Sequence, residues 1–244
     1  MGGRAPDFTP AAHFAARCLF PILRCLAPPG LWIGPQNRRW VTLTIDDGPH
    51  ERLTPWMLET LARAAVPATF FLIGHRADQL PELTRAIHEG GHTVGNHTWN
   101  HRPFAAGVGG VLDQEVTRTE TLLTRLCPGS LRVFRPPYGW IGPGGRRVLE
   151  RAGMMPVYWS ILPRDWEPLP AEVIRNRVRA DLHPGGVIVL HGGTEQHRGA
   201  AEALPDLIAD VRAEGYEIVP LVQMLDAAGF AAGYREVPDG DTAR

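Results

Sequence analysis

Trp40-Val41-Thr42-Leu43-Thr44-Ile45-Asp46-Asp47-Gly48-Pro49 joins an apolar strand to two adjacent carboxylates. Val41, Leu43 and Ile45 alternate with Thr42 and Thr44, and the β-branched content is that of a buried strand. Gly48 and Pro49 then turn the chain away, because Gly tolerates positive φ and Pro cannot donate to a ladder. An Asp-Gly pair alone is ordinary turn chemistry. Two neighbouring carboxylates at a strand end repel one another, and burial penalises both charges. A metal ion or an arginine is the usual counter-charge.

Outward from this strand, strand-like and helix-like segments alternate. Thr54 to Ala65 reads as an amphipathic helix, with Thr54 as N-cap and Pro55 at the first helical position. Ala68 to Ile73 is a second buried strand, Pro81 to Glu89 a helix closed by Gly90-Gly91, and His92 to Gly95 a third strand. Leu112 to Leu126 is a long helix, Leu131 to Phe134 a fourth strand, Gly145 to Ala152 a helix, and Val157 to Ile161 a fifth strand. Helices at Ala171 to Asp181, Glu202 to Glu214 and Leu221 to Ala228 accompany a sixth strand, Val187 to Leu190, and a seventh, Glu217 to Val219. This alternation implies a parallel α/β sheet. No Gly-x-Gly-x-x-Gly or phosphate loop follows any strand, which argues against a nucleotide-binding open sheet and for a closed or nearly closed barrel. Barrels collect their chemistry at the carboxyl ends of the strands. Asp46, Asp47, His97, Arg135, Asp165 and His191 all fall at such ends.

The 244 residues suffice for one large domain, and 44% hydrophobic with 21% charged content is ordinary globular composition. A net charge of -1 gives no electrostatic reason to expect nucleic acid as a partner. Cys18, Cys25 and Cys127 are odd in number and hold no Cys-x-x-Cys pair, so no disulfide framework is indicated.

Three further segments carry chemistry. In His97-Thr98-Trp99-Asn100-His101 the two imidazoles, four apart, would share one face of a helical turn and could reach one ion. With one Asp from the first strand they make a His-His-Asp set, the ligand type of catalytic zinc. Arg135-Pro136-Pro137-Tyr138-Gly139 places an arginine at the barrel mouth, where either Asp46 or Asp47 could pair with it. His191 ends the sixth strand, and the Asp165-Trp166 segment could supply its partner carboxylate, fixing the tautomer and raising the imidazole pKa.

Taken in order, these segments resemble the polysaccharide deacetylases of the NodB homology type, carbohydrate esterase family 4, from about Trp40 to Leu225. The family's Thr-Phe-Asp-Asp-Gly-Pro appears at Thr44 to Pro49 with Ile45 for Phe. His-Ser/Thr-x-x-His stands at His97 to His101, and Arg-x-Pro-Tyr-Gly at Arg135 to Gly139. Asp165-Trp166 and Leu190-His191 complete the set. The resemblance implies a distorted (β/α)7 barrel and a metal-dependent hydrolase that removes N-acetyl groups from an N-acetylated amino-sugar polymer or glycoconjugate. It implies one divalent metal on Asp47, His97 and His101, zinc first, with cobalt, nickel or manganese as alternatives. Such an ion supplies a water of lowered pKa and polarises the acetamide carbonyl. Asp46 is then the general base, held charged and aimed by Arg135. His191 is the general acid, oriented by Asp165, and the Tyr138 N–H helps to stabilise the oxyanion. Pro137, Tyr138 and Trp166 would face the sugar. The same set would serve an O-acetyl esterase or a deformylase, and a barrel that binds sugar without turnover is the remaining alternative.

The expected organisation is an N-terminal extension over 1–39, the barrel over 40–230 and a loose tail over 231–244. Ala11 to Leu26 places His13, Arg17 and Arg24 near one helical face, with Phe14, Leu19, Ile22 and Leu26 over the rest. A helix packed on the barrel, a membrane-interface helix and a cleaved signal all fit that pattern. Neither a clear signal peptide nor a run of apolar residues long enough to span a membrane is present, and association with the cell envelope stays open.

Overall fold

The structure, a computed structural model, describes residues 29–103, 109–140 and 144–230. The expectations for Ala11 to Leu26 and for the tail from Ala231 lie outside these residues. Seven parallel strands make one curled sheet: β1 (Trp40–Asp46), β2 (Thr69–Leu72), β3 (Thr93–Asn96), β4 (Val133–Phe134), β5 (Met155–Pro156), β6 (Gly186–His191) and β7 (Glu217–Ile218). Their order is β5-β4-β3-β2-β1-β6, and β7 pairs with the start of β1. Helices α1 (Leu53–Ala64), α2 (Gly74–Gln79), α3 (Pro81–Glu89), α4 (Gly109–Leu126), α5 (Gly145–Arg151), α6 (Ala171–Asp181), α7 (Arg198–Ala213) and α8 (Leu221–Ala227) connect the strands.

The alternation in β1 sorts its side chains between two environments. Val41, Leu43 and Ile45 join the core that also holds Met57 and Leu61 of α1 and Leu204 and Leu207 of α7. Burying each such side chain is worth roughly 1.5–3 kcal/mol. Thr42, Thr44 and Asp46 point the opposite way, into the barrel, and are equally buried. This interior face needs polar partners, and it receives them at the mouth.

The expected fifth strand is displaced. Regular pairing covers Met155–Pro156, and the chain beyond it changes neighbours. The Val157 N–H donates to Phe134 O of β4, whereas the Ser160 and Ile161 N–H groups donate to Val187 O of β6. One short segment thereby links the two ends of the strand order and curls the sheet into the distorted (β/α)7 barrel. Residues 29–34 help to close it: Leu31 is fully buried and bridges Val157, and the Gly34 N–H donates to Gly185 O.

Three local expectations also change. Thr54 lies inside α1 rather than capping it, and its hydroxyl accepts the His50 N–H at 2.8 Å. α7 begins at Arg198, ahead of the expected Glu202. α2 was not foreseen, because Gly-His-Arg-Ala-Asp-Gln is short and carries no apolar periodicity.

Candidate active site

Strand register sets the site. Asp46 is the direct partner of His191 across β1 and β6, and Asn96 faces both Leu72 and Phe134. Asp47, His97 and Arg135, each one residue past a strand, and the terminal His191 therefore emerge at one mouth.

The first cluster is Asp47, His97 and His101, whose ligand-type atoms all lie within 4.8 Å of one another. Both Nε2 atoms approach Asp47 Oδ1, at 3.5 and 3.4 Å. His97 Nδ1–H donates to the Arg135 carbonyl at 2.7 Å, and a carbonyl can only accept, so in the neutral ring it is Nε2 that carries the lone pair. Burial first, and then the neighbouring His97, bring the His101 pKa down to about 4, so that it too is neutral near pH 7. Asp47 Oδ1 is buried without a hydrogen-bond donor. With both rings neutral, two imidazole lone pairs and a carboxylate oxygen converge on one point, and a divalent cation fits that donor set. It is the one such group among the described residues.

His97 to His101 does not form the expected helical turn. Thr98 and His101 have φ of 64° and 53°, so the segment is a loop that brings the imidazoles together by left-handed steps. Side chains hold it there. Asn96 Oδ1 accepts the Thr98 N–H at 3.0 Å, and Thr98 Oγ1 accepts the His101 N–H at 3.1 Å. Glu115 of α4, buried, accepts both the backbone and side-chain N–H groups of Asn100 at 2.7 and 2.6 Å.

The second cluster is Asp46 with Arg135. The fully buried guanidinium donates through Nη1 to Asp46 Oδ1 at 2.7 Å and to Thr44 Oγ1 at 2.6 Å. Its Nε and Nη2 reach the Val157 and Tyr158 carbonyls. The other Asp46 oxygen, Oδ2, lies 3.9 Å from His97 Nε2 and so faces the cation seat.

The third cluster is His191 with Asp165. Asp165 Oδ2 accepts the His191 backbone N–H at 2.6 Å, and Oδ1 lies 2.9 Å from Nδ1. Burial opposes the charged imidazole, but Asp165, with Asp47 and Asp46 further off, outweighs it and raises the pKa to about 9. The carboxylate leaves Nε2 as the free end of the ring, as proton delivery requires.

Around these groups Tyr138 is 68% exposed and Trp166 37%, while Pro137 is buried. Tyr138 stands beside His101 and Trp166 beside His191, with ring centroids 4.9 and 5.6 Å apart. Sequence reading missed Thr44, Glu115 and Arg76, whose Nη1 donates to the Asp47 carbonyl at 2.7 Å. Thr44 could have been found from its place on the polar face of β1. Glu115 and Arg76 lie in helices with no motif to mark them.

A cation seat with a carboxylate aimed at it and a proton-bearing imidazole close by is the apparatus of a metal-dependent hydrolase. A family model described as polysaccharide deacetylase matches residues 33–157. The chain belongs to that family. A peptidoglycan-N-acetylglucosamine deacetylase of Bacillus cereus is 34% identical over 196 residues, 80% of this chain and 71% of the relative. A chitooligosaccharide deacetylase of Azorhizobium caulinodans is 34% identical over 197 residues, 80% of this chain and 92% of the relative. A crystal structure of a peptidoglycan N-acetylglucosamine deacetylase bound to 4-naphthalen-1-yl-N-oxidanyl-benzamide superposes with a TM-score of 0.76. It is 34% identical and covers 79% of this chain and 91% of that one. A CE4 family pseudoenzyme from Bacillus anthracis also reaches 0.76, at 25% identity over 84% of this chain and 71% of that one.

Proposed function

We propose that this enzyme removes the N-acetyl group from N-acetylglucosamine units of a cell-envelope or chitin-like glycan, with zinc as the ion on Asp47, His97 and His101. When bound there, the ion supplies a water of lowered pKa and polarises the acetamide carbonyl. Asp46 Oδ2 takes a proton from the attacking water while Arg135 and Thr44 hold the rest of the carboxylate in place. The amide C–N bond breaks, and His191, kept protonated and oriented by Asp165, gives its proton to the departing nitrogen. An amine leaves poorly without that proton. The Tyr138 N–H would help to hold the developing oxyanion, and Tyr138 and Trp166 would bracket the sugar, with Pro137 as a buried wall. Among the described residues no helix is long and apolar enough to cross a membrane.

The observation that carries this reading is the direct register pairing of Asp46 with His191, beside the cluster of Asp47, His97 and His101. A fold-mate without activity shows that the barrel alone does not suffice. Incubation with chitooligosaccharides and peptidoglycan fragments should release acetate and free amine in equal amounts. Release of acetate from O-acetylated glycans only, or of formate from formamides only, would assign the site to a different acyl bond. No release from any of them, with metal bound, would leave a sugar-binding barrel.

A further inference from the structure

α2 touches three of the loops that carry the site. Its first two N–H groups donate to the Thr98 and Trp99 carbonyls, at 2.9 and 3.1 Å, and so brace the loop between His97 and His101. Its third residue, Arg76, reaches further. A single guanidinium nitrogen, Nη1, donates to the Asp47 carbonyl at 2.7 Å and to the Gly193 carbonyl at 2.5 Å. Asp47 is in the metal cluster, and Gly193 lies two residues beyond His191.

The two loops are pressed together at this point. A Cβ added at Gly193 would lie 2.1 Å from Arg76 Nη1, 2.3 Å from Asp47 O and 2.5 Å from Asp47 Cβ. Only a residue without a side chain fits such an approach. Gly193 is also fixed from the other side, since its N–H donates to His197 Nδ1 at 3.1 Å. Burial first, and then the nearby His191, take the His197 pKa down to about 4, which keeps that ring neutral and able to accept. Asp47 itself has a φ of 71°, a left-handed conformation that Asp adopts more readily than most residues with a Cβ but still at a cost that outside support offsets. The Arg76 hydrogen bond to its carbonyl supplies that support. A planar, permanently charged guanidinium suits the task, because charge-assisted donors are strong and the fork is pre-organised.

We propose that Arg76 is a positioning residue that clamps the Asp47 loop to the His191 loop and so fixes the metal-binding carboxylate relative to the acid imidazole. Metal affinity and proton delivery then both depend on a side chain assigned to neither the ion nor the substrate. This rests on the roles given above to Asp47 and His191. An arginine that merely ties two loops would affect stability alone.

The test uses the full chain and three variants, Arg76→Gln, Arg76→Lys and Gly193→Ala. Zinc affinity is measured by competition with a chelator, apoprotein melting by calorimetry, and kcat and KM on a soluble N-acetylated oligosaccharide. Arg76→Gln should weaken zinc binding and lower kcat by roughly 10–100-fold each, the range found when outer partners of metal ligands are removed. KM should change little, and apoprotein melting by no more than a few degrees. Arg76→Lys, which can keep one of the two bonds, should fall between. Gly193→Ala, a wedge at the same junction, should move the same two quantities. Wild-type zinc affinity and kcat in Arg76→Gln would overturn the proposal, as would losses that merely track a lower melting temperature. Should Arg76→Gln not fold, wild-type affinity in both other variants would overturn it. The zinc measurements judge the clamp independently, so a wild-type protein that binds zinc but deacetylates nothing would refute the function proposed above and not this one.

Discussion

The strands and the loops of this barrel position their functional groups by different means. Asp46 and His191 lie in regular parallel strands, paired directly, with main-chain geometry that any residue adopts. The residues beyond the strands are another matter. Six non-glycine residues among those described have positive φ, and five of them are Asp47, Thr98, His101, Tyr138 and Arg164, all in the mouth loops. Each costs of order 1–3 kcal/mol and persists only where its surroundings determine it. Four of them have visible support: Asn96 and Glu115 hold the loop of Thr98 and His101, Arg76 binds the Asp47 carbonyl, and beside Tyr138 the Gly139 N–H donates to Pro136 O at 2.9 Å. The proposed proton-transfer groups thus sit in the ladder and the candidate metal ligands in loops held by side chains, and damage to each should differ in kind.

The largest effect is expected on the strand side. Asp46→Asn should lower kcat by about 10²–10⁴-fold, the usual weight of general-base catalysis, while metal content measured by elemental analysis stays at the wild-type level. Near-normal turnover would exchange the roles of the two adjacent carboxylates. On the loop side, His97→Ala should lose metal and activity together. A chelator should silence the wild-type protein, and added zinc should restore it but not the variant. Equal metal content in variant and wild type would break the contrast drawn above.

The smallest effect is a displaced pH profile. As the proposed acid, His191 must hold a proton, so activity should fall as pH rises through its pKa. Asp165 is the main group raising that pKa to about 9. In Asp165→Asn the carboxylate charge is gone, the pKa drops towards the 6.5 of an unperturbed histidine, and the basic limb moves to lower pH. A cation beside Asp47 lowers the pKa in both proteins, so the difference between the two profiles is the measure. Identical limbs would remove Asp165 from the orienting role.

Much of this was legible in the sequence because the relevant signals are local. Period-2 alternation located β1, and the Asp46-Asp47, His97–His101, Arg135–Gly139, Asp165-Trp166 and Leu190-His191 segments sit where the structure gathers the site. Spacing did not report conformation: four residues between histidines suggested a helical turn, and the chain uses a left-handed loop instead. Long-range partners left no local trace. Arg76 and Glu115 act through carbonyl and amide groups far along the chain, which no pattern within either helix encodes. The chain around Val157 to Ile161 read as an ordinary strand because its apolar content is strand-like, whereas its change of neighbour depends on two strands distant in sequence.

The pairing of the first strand with the sixth also bears on how the protein comes into being. The hydrogen bond from Thr44 to Ile188 O joins positions 144 residues apart. A ribosome delivers the carboxylate pair early and the proposed acid histidine late, so a chain that ends before the sixth strand holds only part of the proposed machinery. Contacts of such sequence separation slow folding, since the loop must close before it is rewarded. On the proposed mechanism, hydrolytic competence then waits until the sheet has curled round on itself.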